Sequence, residues 1–89
     1  MREPYLEVTF RKGRPMAAYL YLARRPGEKS YRTSTADPGL IIDFNRNGKP
    51  IGIEITAPAS VTVTALNSVL KSLGLPPVRA SDLAPLQAA

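Results

Sequence analysis

Apolar and polar residues alternate along most of the chain as far as Ile55, and then the period changes. From Leu40 to Ile55 the chain reads Leu-Ile-Ile-Asp-Phe-Asn-Arg-Asn-Gly-Lys-Pro-Ile-Gly-Ile-Glu-Ile. Two alternating runs flank Asn47-Gly48, a pair suited to the centre of a type I′ turn because Asn tolerates positive φ and Gly adopts it freely. This predicts a hairpin in which Arg46 faces Lys49, Phe44 faces Ile51, Ile42 faces Ile53 and Leu40 faces Ile55. Leu40, Ile42, Phe44, Ile51, Ile53 and Ile55 then share one face, and Ile41, Asp43, Asn45, Pro50, Gly52 and Glu54 share the other. A one-residue slip would scatter this sorting, so the register is strongly specified.

Upstream, Pro4 suits a strand lead-in. Tyr5 to Phe10 sorts Leu6, Val8 and Phe10 from Tyr5, Glu7 and Thr9, as a half-buried strand does. Arg11-Lys12-Gly13-Arg14-Pro15 reads as a turn whose loop length the pattern leaves open between two and seven residues. Ala17 to Leu22 is a second strand, sorting Ala18, Leu20 and Leu22 from Ala17, Tyr19 and Tyr21. Arg25-Pro26-Gly27-Glu28 fits a type II turn. The Thr-rich stretch Tyr31 to Ala36 is a third strand, and Pro38-Gly39 turns the chain into the hairpin.

After Ile55, Val63, Leu66, Val69, Leu70 and Leu73 fall on one helical stripe. Thr62 or Thr64 can cap its start. Gly74 and Leu75 suit a C-terminal cap, and Pro76-Pro77 forbids continuation. Residues 76–89 are Pro- and Ala-rich and read as a tail: disordered, a partner-binding arm, or a short docked helix. The expected architecture is α+β, an antiparallel meander of about five strands with one helix packed on one face, in a single domain over residues 1–75.

Composition narrows the chemistry. At 89 residues the chain is one domain, without cysteine or histidine. Disulfide and thiolate chemistry are absent, and the usual general base and commonest metal ligand are missing. Ser60, Ser68 and Ser72 have no histidine to activate them. The expectation is a non-enzymatic protein with no cofactor and no metal. Arg2, Glu3 and Glu7 interrupt the region where a signal peptide needs an apolar core. No apolar run approaches the ~18 residues of a membrane span, so a soluble cytoplasmic protein is expected. Residues 1–50 hold ten Lys/Arg against five Asp/Glu, and residues 51–89 hold two against two. The whole net charge of +5 therefore lies in the first part. A basic half points either to an anionic partner or to a solvated surface.

Ile42-Asp43-Phe44, Gly48 and Ile51-Gly52-Ile53-Glu54-Ile55 together resemble the closing motif of a small bacterial family, domain-of-unknown-function family 2283. Val8-Thr9-Phe10 and Ala18-Tyr19-Leu20-Tyr21-Leu22 are similar to its opening strand pair, so the resemblance covers roughly residues 5–57. It marks Asp43, Gly48, Gly52 and Glu54 as motif residues. Where family members often carry acidic residues in the first turn, this chain has Arg11, Lys12, Gly13 and Arg14. The family has no assigned activity, and the resemblance implies an antitoxin-like binding role.

Two constellations remain. Asp43 and Glu54 lie diagonally on the polar hairpin face, ~7–8 Å apart in such a ladder. They could share a cation or act as an acid/base pair, or be solvated, or pair with Arg32 or Arg46. Tyr19 and Tyr21 near Arg24, Arg25, Lys29 and Arg32 resemble a stacking platform with a basic rim; alternatively they cover the second sheet face or a dimer contact. Arg11, Lys12 and Arg14 extend the basic surface. In a simple meander Ile51 to Ile55 ends the sheet with an unpaired edge, which proteins rarely leave bare. A homodimer, through that edge or face to face, is the expected remedy, unless the first strand folds back beside it. The leading expectation is a protein-interaction module, and the alternative is a small basic nucleic-acid-binding protein.

Overall fold

The computed structural model describes residues 5–24 and 26–87. Pro4, expected as a strand lead-in, and Arg25, expected in a turn and in the basic surface, lie outside the described residues. Five strands, β1 (Tyr5–Arg11), β2 (Arg14–Tyr21), β3 (Arg32–Ala36), β4 (Leu40–Phe44) and β5 (Pro50–Ile55), form one antiparallel sheet in the order β1-β2-β5-β4-β3. Helix α1 (Val63–Ser72) follows, then a 3-10 turn (Ala80–Leu83) running into the short α2 (Ala84–Gln87). The α+β class and the antiparallel, meander-like sheet are as expected. The position of β5 is not.

Instead of ending the sheet, β5 lies at its centre. Ala18, Tyr19, Leu20 and Tyr21 pair with Ile55, Glu54, Ile53 and Gly52. The edge of β5 is thus closed within the chain, by β2 rather than by the first strand, and the case for a dimer through that edge falls. The physical reason is the apolar content of β5. Ile51, Ile53 and Ile55 are fully buried, and a central strand offers them neighbours on both sides.

The β4–β5 hairpin keeps its expected register at Leu40↔Ile55 and Ile42↔Ile53, but Phe44 pairs with Pro50 rather than Ile51. The turn is one residue longer than expected. The Asn45 N–H donates to the Lys49 carbonyl (2.8 Å), and the Gly48 N–H donates to the Asn45 carbonyl (3.0 Å). The Asn45 side-chain Oδ1 accepts from the N–H groups of Asn47 and Lys49, both at 2.9 Å. Asn47 therefore needs no positive φ; only Gly48 takes it, at 83°. A register shift beyond Phe44 restores the phase, the pattern of a three-residue loop with a bulge. Two consecutive positive φ values, the type I′ signature, appear instead at Lys12 (53°) and Gly13 (77°) in the β1–β2 turn.

Ala18, Leu20, Leu22, Leu40, Ile42, Phe44, Ile53 and Ile55 supply the sheet's side of the core, and Leu66 and Leu70 of α1 supply the helix side. The Thr62 hydroxyl caps α1 by accepting from the Ala65 N–H at 3.0 Å. Leu75 N–H to Leu70 O and Gly74 N–H to Lys71 O close its other end in a Schellman arrangement. No helix among the described residues is long and apolar enough to cross a membrane.

Residues 76–87 are docked, which favours the short-helix reading of the expected tail. The Asn67 amide grips Val78 twice, donating to its carbonyl (3.0 Å) and accepting from its N–H (2.8 Å). Beyond that clamp Leu83 and Leu86 enter the core. Leu83→Ala should lower the unfolding free energy by about 2–5 kcal/mol in a denaturant titration, as burial of that side chain demands. Ser81→Ala, on the exposed side of the same turn, should stay within about 0.5 kcal/mol of the parent.

Candidate functional site

The helices and the docked C-terminal segment occupy one face of the sheet. Pairing aligns the opposite face into two rows across all five strands. One runs Tyr5, Tyr21, Gly52, Asp43, Thr33; the other runs Glu7, Tyr19, Glu54, Ile41, Thr35. Strand alternation places these residues together because every second side chain projects to the same side.

Three tyrosines form the body of this face. The rings of Tyr5 and Tyr21 stack with centroids 4.6 Å apart and planes 14° apart. Tyr19 meets Tyr21 edge to face at 4.7 Å and 67°. Both are favoured geometries for aromatic quadrupoles. Tyr19 then leans diagonally across Gly52, and its hydroxyl donates to Asp43 Oδ2 at 2.6 Å. A Cβ at position 52 would collide with the Tyr19 hydroxyl and ring. That collision is the physical reason for glycine in the middle of a central strand. Ser30 Oγ donates to the other oxygen of Asp43 at 3.1 Å.

Asp43 is thus committed to two hydroxyl donors, and Glu54 is exposed one row away, opposite Tyr19 and Ile41. The ion pairs considered for Asp43 and Glu54 with Arg32 or Arg46 do not form. The Arg32 guanidinium lies over the Phe44 ring at 4.2 Å and that of Arg46 over Tyr31 at 4.9 Å. Among the described residues no three His, Cys, Asp or Glu side chains gather as a metal-binding group.

Residues 17–57 match the family model described as "Protein of unknown function (DUF2283)". Over this stretch, a little under half of the chain, the protein is similar to the DUF2283 family. The match runs from within β2 to just past β5, so β1, which the sequence resemblance included, and both helices lie outside it. No curated protein and no solved structure matches the chain. Of the motif residues within the DUF2283 stretch, Asp43 and Gly52 meet at Tyr19, Gly48 serves the hairpin turn, and Glu54 stands exposed on the same face.

The expected basic surface is divided. Arg11, Lys12 and Arg14 sit at the β1–β2 turn, at one end of the sheet, around a shallow depression shared with Pro15 and Met16. Arg24, Lys29 and Arg32 belong to the opposite end. Arg24 is internally engaged, donating to the carbonyls of Ile51 (3.2 Å) and Glu28 and lying 5.6 Å from the Tyr21 ring centroid. Lys29 lines a cleft with Ser30, Tyr31, Asn45, Arg46 and Asn47.

Sequence reasoning missed two parts of this arrangement. Tyr5 extends the tyrosine pair to three, a fact that only the β1–β2 register reveals. Asn45, assigned to the open face, is instead buried, with its Nδ2 donating to Glu28 Oε2 at 2.8 Å. An Asn two residues before the Asn-Gly pair was the available signal for its turn.

Burial, and after it the hydrogen bond and charge of Asp43, push the Tyr19 phenol up to about 12, with Arg24 acting in the opposite direction. Glu7 chiefly, its carboxylate accepting from the Tyr21 hydroxyl at 3.2 Å, raises Tyr21 as well. Tyr19 holds its proton more tightly folded than unfolded. Its contribution to stability is therefore complete below the ordinary phenol pKa of about 10 and lost as pH rises toward about 12. Phenolate absorbance should show one tyrosine titrating last, and Tyr19→Phe should remove that component. Asp43→Asn should bring it part of the way down, because burial remains.

Proposed function

We propose that the chain is a non-enzymatic protein-interaction module that contacts a partner protein through the uncovered tyrosine face. The observation that carries this reading is the Tyr5–Tyr21–Tyr19 cluster on a sheet face left open by the helices. Tyrosine offers a large, rigid contact area with a polar tip, and is enriched among residues that dominate binding energy. Ile41 adds apolar surface in the adjacent row, and Glu7 and Glu54 border it with negative charge. The fitting partner presents an apolar patch edged by Lys or Arg. An antitoxin-like role, masking such a patch on another protein, is compatible with this surface and with the similarity to the DUF2283 family.

The available chemistry supports a binding role over catalysis. Asp43 is held by two hydroxyl groups, the Tyr19 phenol is shifted away from neutral pH, and the chain has no histidine or cysteine. The test is a tagged pull-down from native cells, with and without nuclease. A partner protein should survive nuclease and be lost with Tyr21→Glu, while the thermal melt of that variant still shows a folded chain. A partner retained undiminished by folded Tyr21→Glu would refute the assignment of the face.

A second reading, nucleic-acid binding, draws on the cleft beside Lys29. There the guanidinium of Arg46 covers an exposed Tyr31 ring, a combination suited to phosphate and to base stacking. If it operates, a fluorescent single strand should bind at low salt and dissociate steeply as salt rises. Replacing Lys29 and Arg46 with Ser should weaken that binding without unfolding. No retention at low salt removes this reading.

A further inference from the structure

β1 is an outer strand of the sheet, and its seven residues form a regular edge. The register shift in the β1–β2 pair takes Thr9↔Ala17 to Phe10↔Pro15, so the extra residue, Met16, belongs to β2. β1 therefore keeps an unbulged outer row of N–H and C=O groups, without proline in the strand. The other outer strand, β3, is a shorter run of Arg, Thr, Ser and Ala. β1 instead carries Phe10, 49% exposed, and half-buried Val8. Exposed edges of this kind are templates for further strand pairing.

The geometry points to a second copy of this chain as the occupant, its β1 pairing antiparallel to the first about a two-fold axis at Thr9. In that register Glu7 faces Arg11 of the other copy, Val8 faces its Phe10, and Thr9 faces Thr9. Parity is respected: Glu7, Thr9 and Arg11 lie on the tyrosine face and Val8 and Phe10 on the core face. The sequence Glu-Val-Thr-Phe-Arg is self-complementary here, joining opposite charges at both ends and apolar side chains between them, each a favourable cross-strand pair. Arg11 otherwise faces only Arg14 across the hairpin, a like-charge pairing. The 3-10 turn at Ala80–Leu83 lies against β1, and Leu6 and Tyr5 line a cleft with Val78 and Asp82. A contact centred on Thr9 uses the half of β1 away from that cleft. Two-fold closure consumes both β1 edges and leaves the short, polar β3 strands at the two ends of one continuous ten-strand sheet.

This pairing is independent of the partner contact proposed for the tyrosine face, and its test needs no partner. Light scattering on the purified full chain at micromolar concentration should give twice the chain mass. Glu7→Arg and Arg11→Glu each place like charges opposite one another and should return the mass to that of one chain. The two substitutions combined should restore the dimer, with thermal melts confirming that every variant is folded. A wild-type chain of monomer mass would overturn the proposal. So would single variants that remain dimeric, or a folded double variant that stays monomeric.

Discussion

The arrangement depends on one pairing, that of β2 with β5. It joins the N-terminal hairpin to the β4–β5 hairpin and makes one sheet of them. The pairing closes a long loop, which costs conformational entropy before any contact is gained. What offsets that cost is concentrated in β5, where Ile51, Ile53 and Ile55 are fully buried. Gly52, between them, fixes what can happen on the other face. Because it has no side chain, the Tyr19 ring can lie across the strand and reach Asp43. A single hydroxyl–carboxylate bond thereby ties β2 to β4 over the top of β5. The same residue spacing thus produces the core below and the tyrosine surface above.

The alternation was legible because burial on one face of a sheet leaves a period-two record in the chain. It identified all five strands and sorted Leu40, Ile42, Ile53 and Ile55 to the core and Asp43 and Glu54 away from it. Strand order leaves a weaker record. A strand alternates in the same way whether it is an edge or a centre, and only the density of isoleucine in β5 hinted at neighbours on both sides. Gly52 carried a real signal, since an isolated glycine within a strand marks a close approach. The approaching group, however, is set by a strand distant in sequence.

Side chains that act as pieces of backbone were the least legible. Asn45 receives two N–H groups in its own turn and donates to Glu28 from another loop. Its burial depends on a contact that no local window contains. The effect passes down the hairpin: with Asn45 holding the turn, Asn47 keeps negative φ, the loop gains a residue, and a bulge brings Asp43 back opposite Gly52. Leu83 and Leu86 show a related difficulty. Two leucines three apart are a faint helical signal among Pro and Ala, yet the Asn67 clamp on Val78 delivers them to the core.

The candidate surfaces follow from what this packing leaves over. One sheet face is consumed by the helices and the C-terminal segment, so the tyrosines are left on the other. The central position of β5 buries the strand that would otherwise have been the most adhesive edge, and leaves β1 and β3 as the outer strands. The net positive charge does not gather on the open face. Glu7, Asp43 and Glu54 stand there among the tyrosines with Arg24 beside Tyr21, while Arg11, Lys12 and Arg14 lie at one end of the sheet and Lys29, Arg32 and Arg46 at the other. A polyanion laid along the tyrosine rows would meet carboxylates before it met most of the arginines. A protein surface carrying apolar groups and a few cations meets no such opposition, and for that reason the charge distribution, more than the net charge, separates the two binding readings.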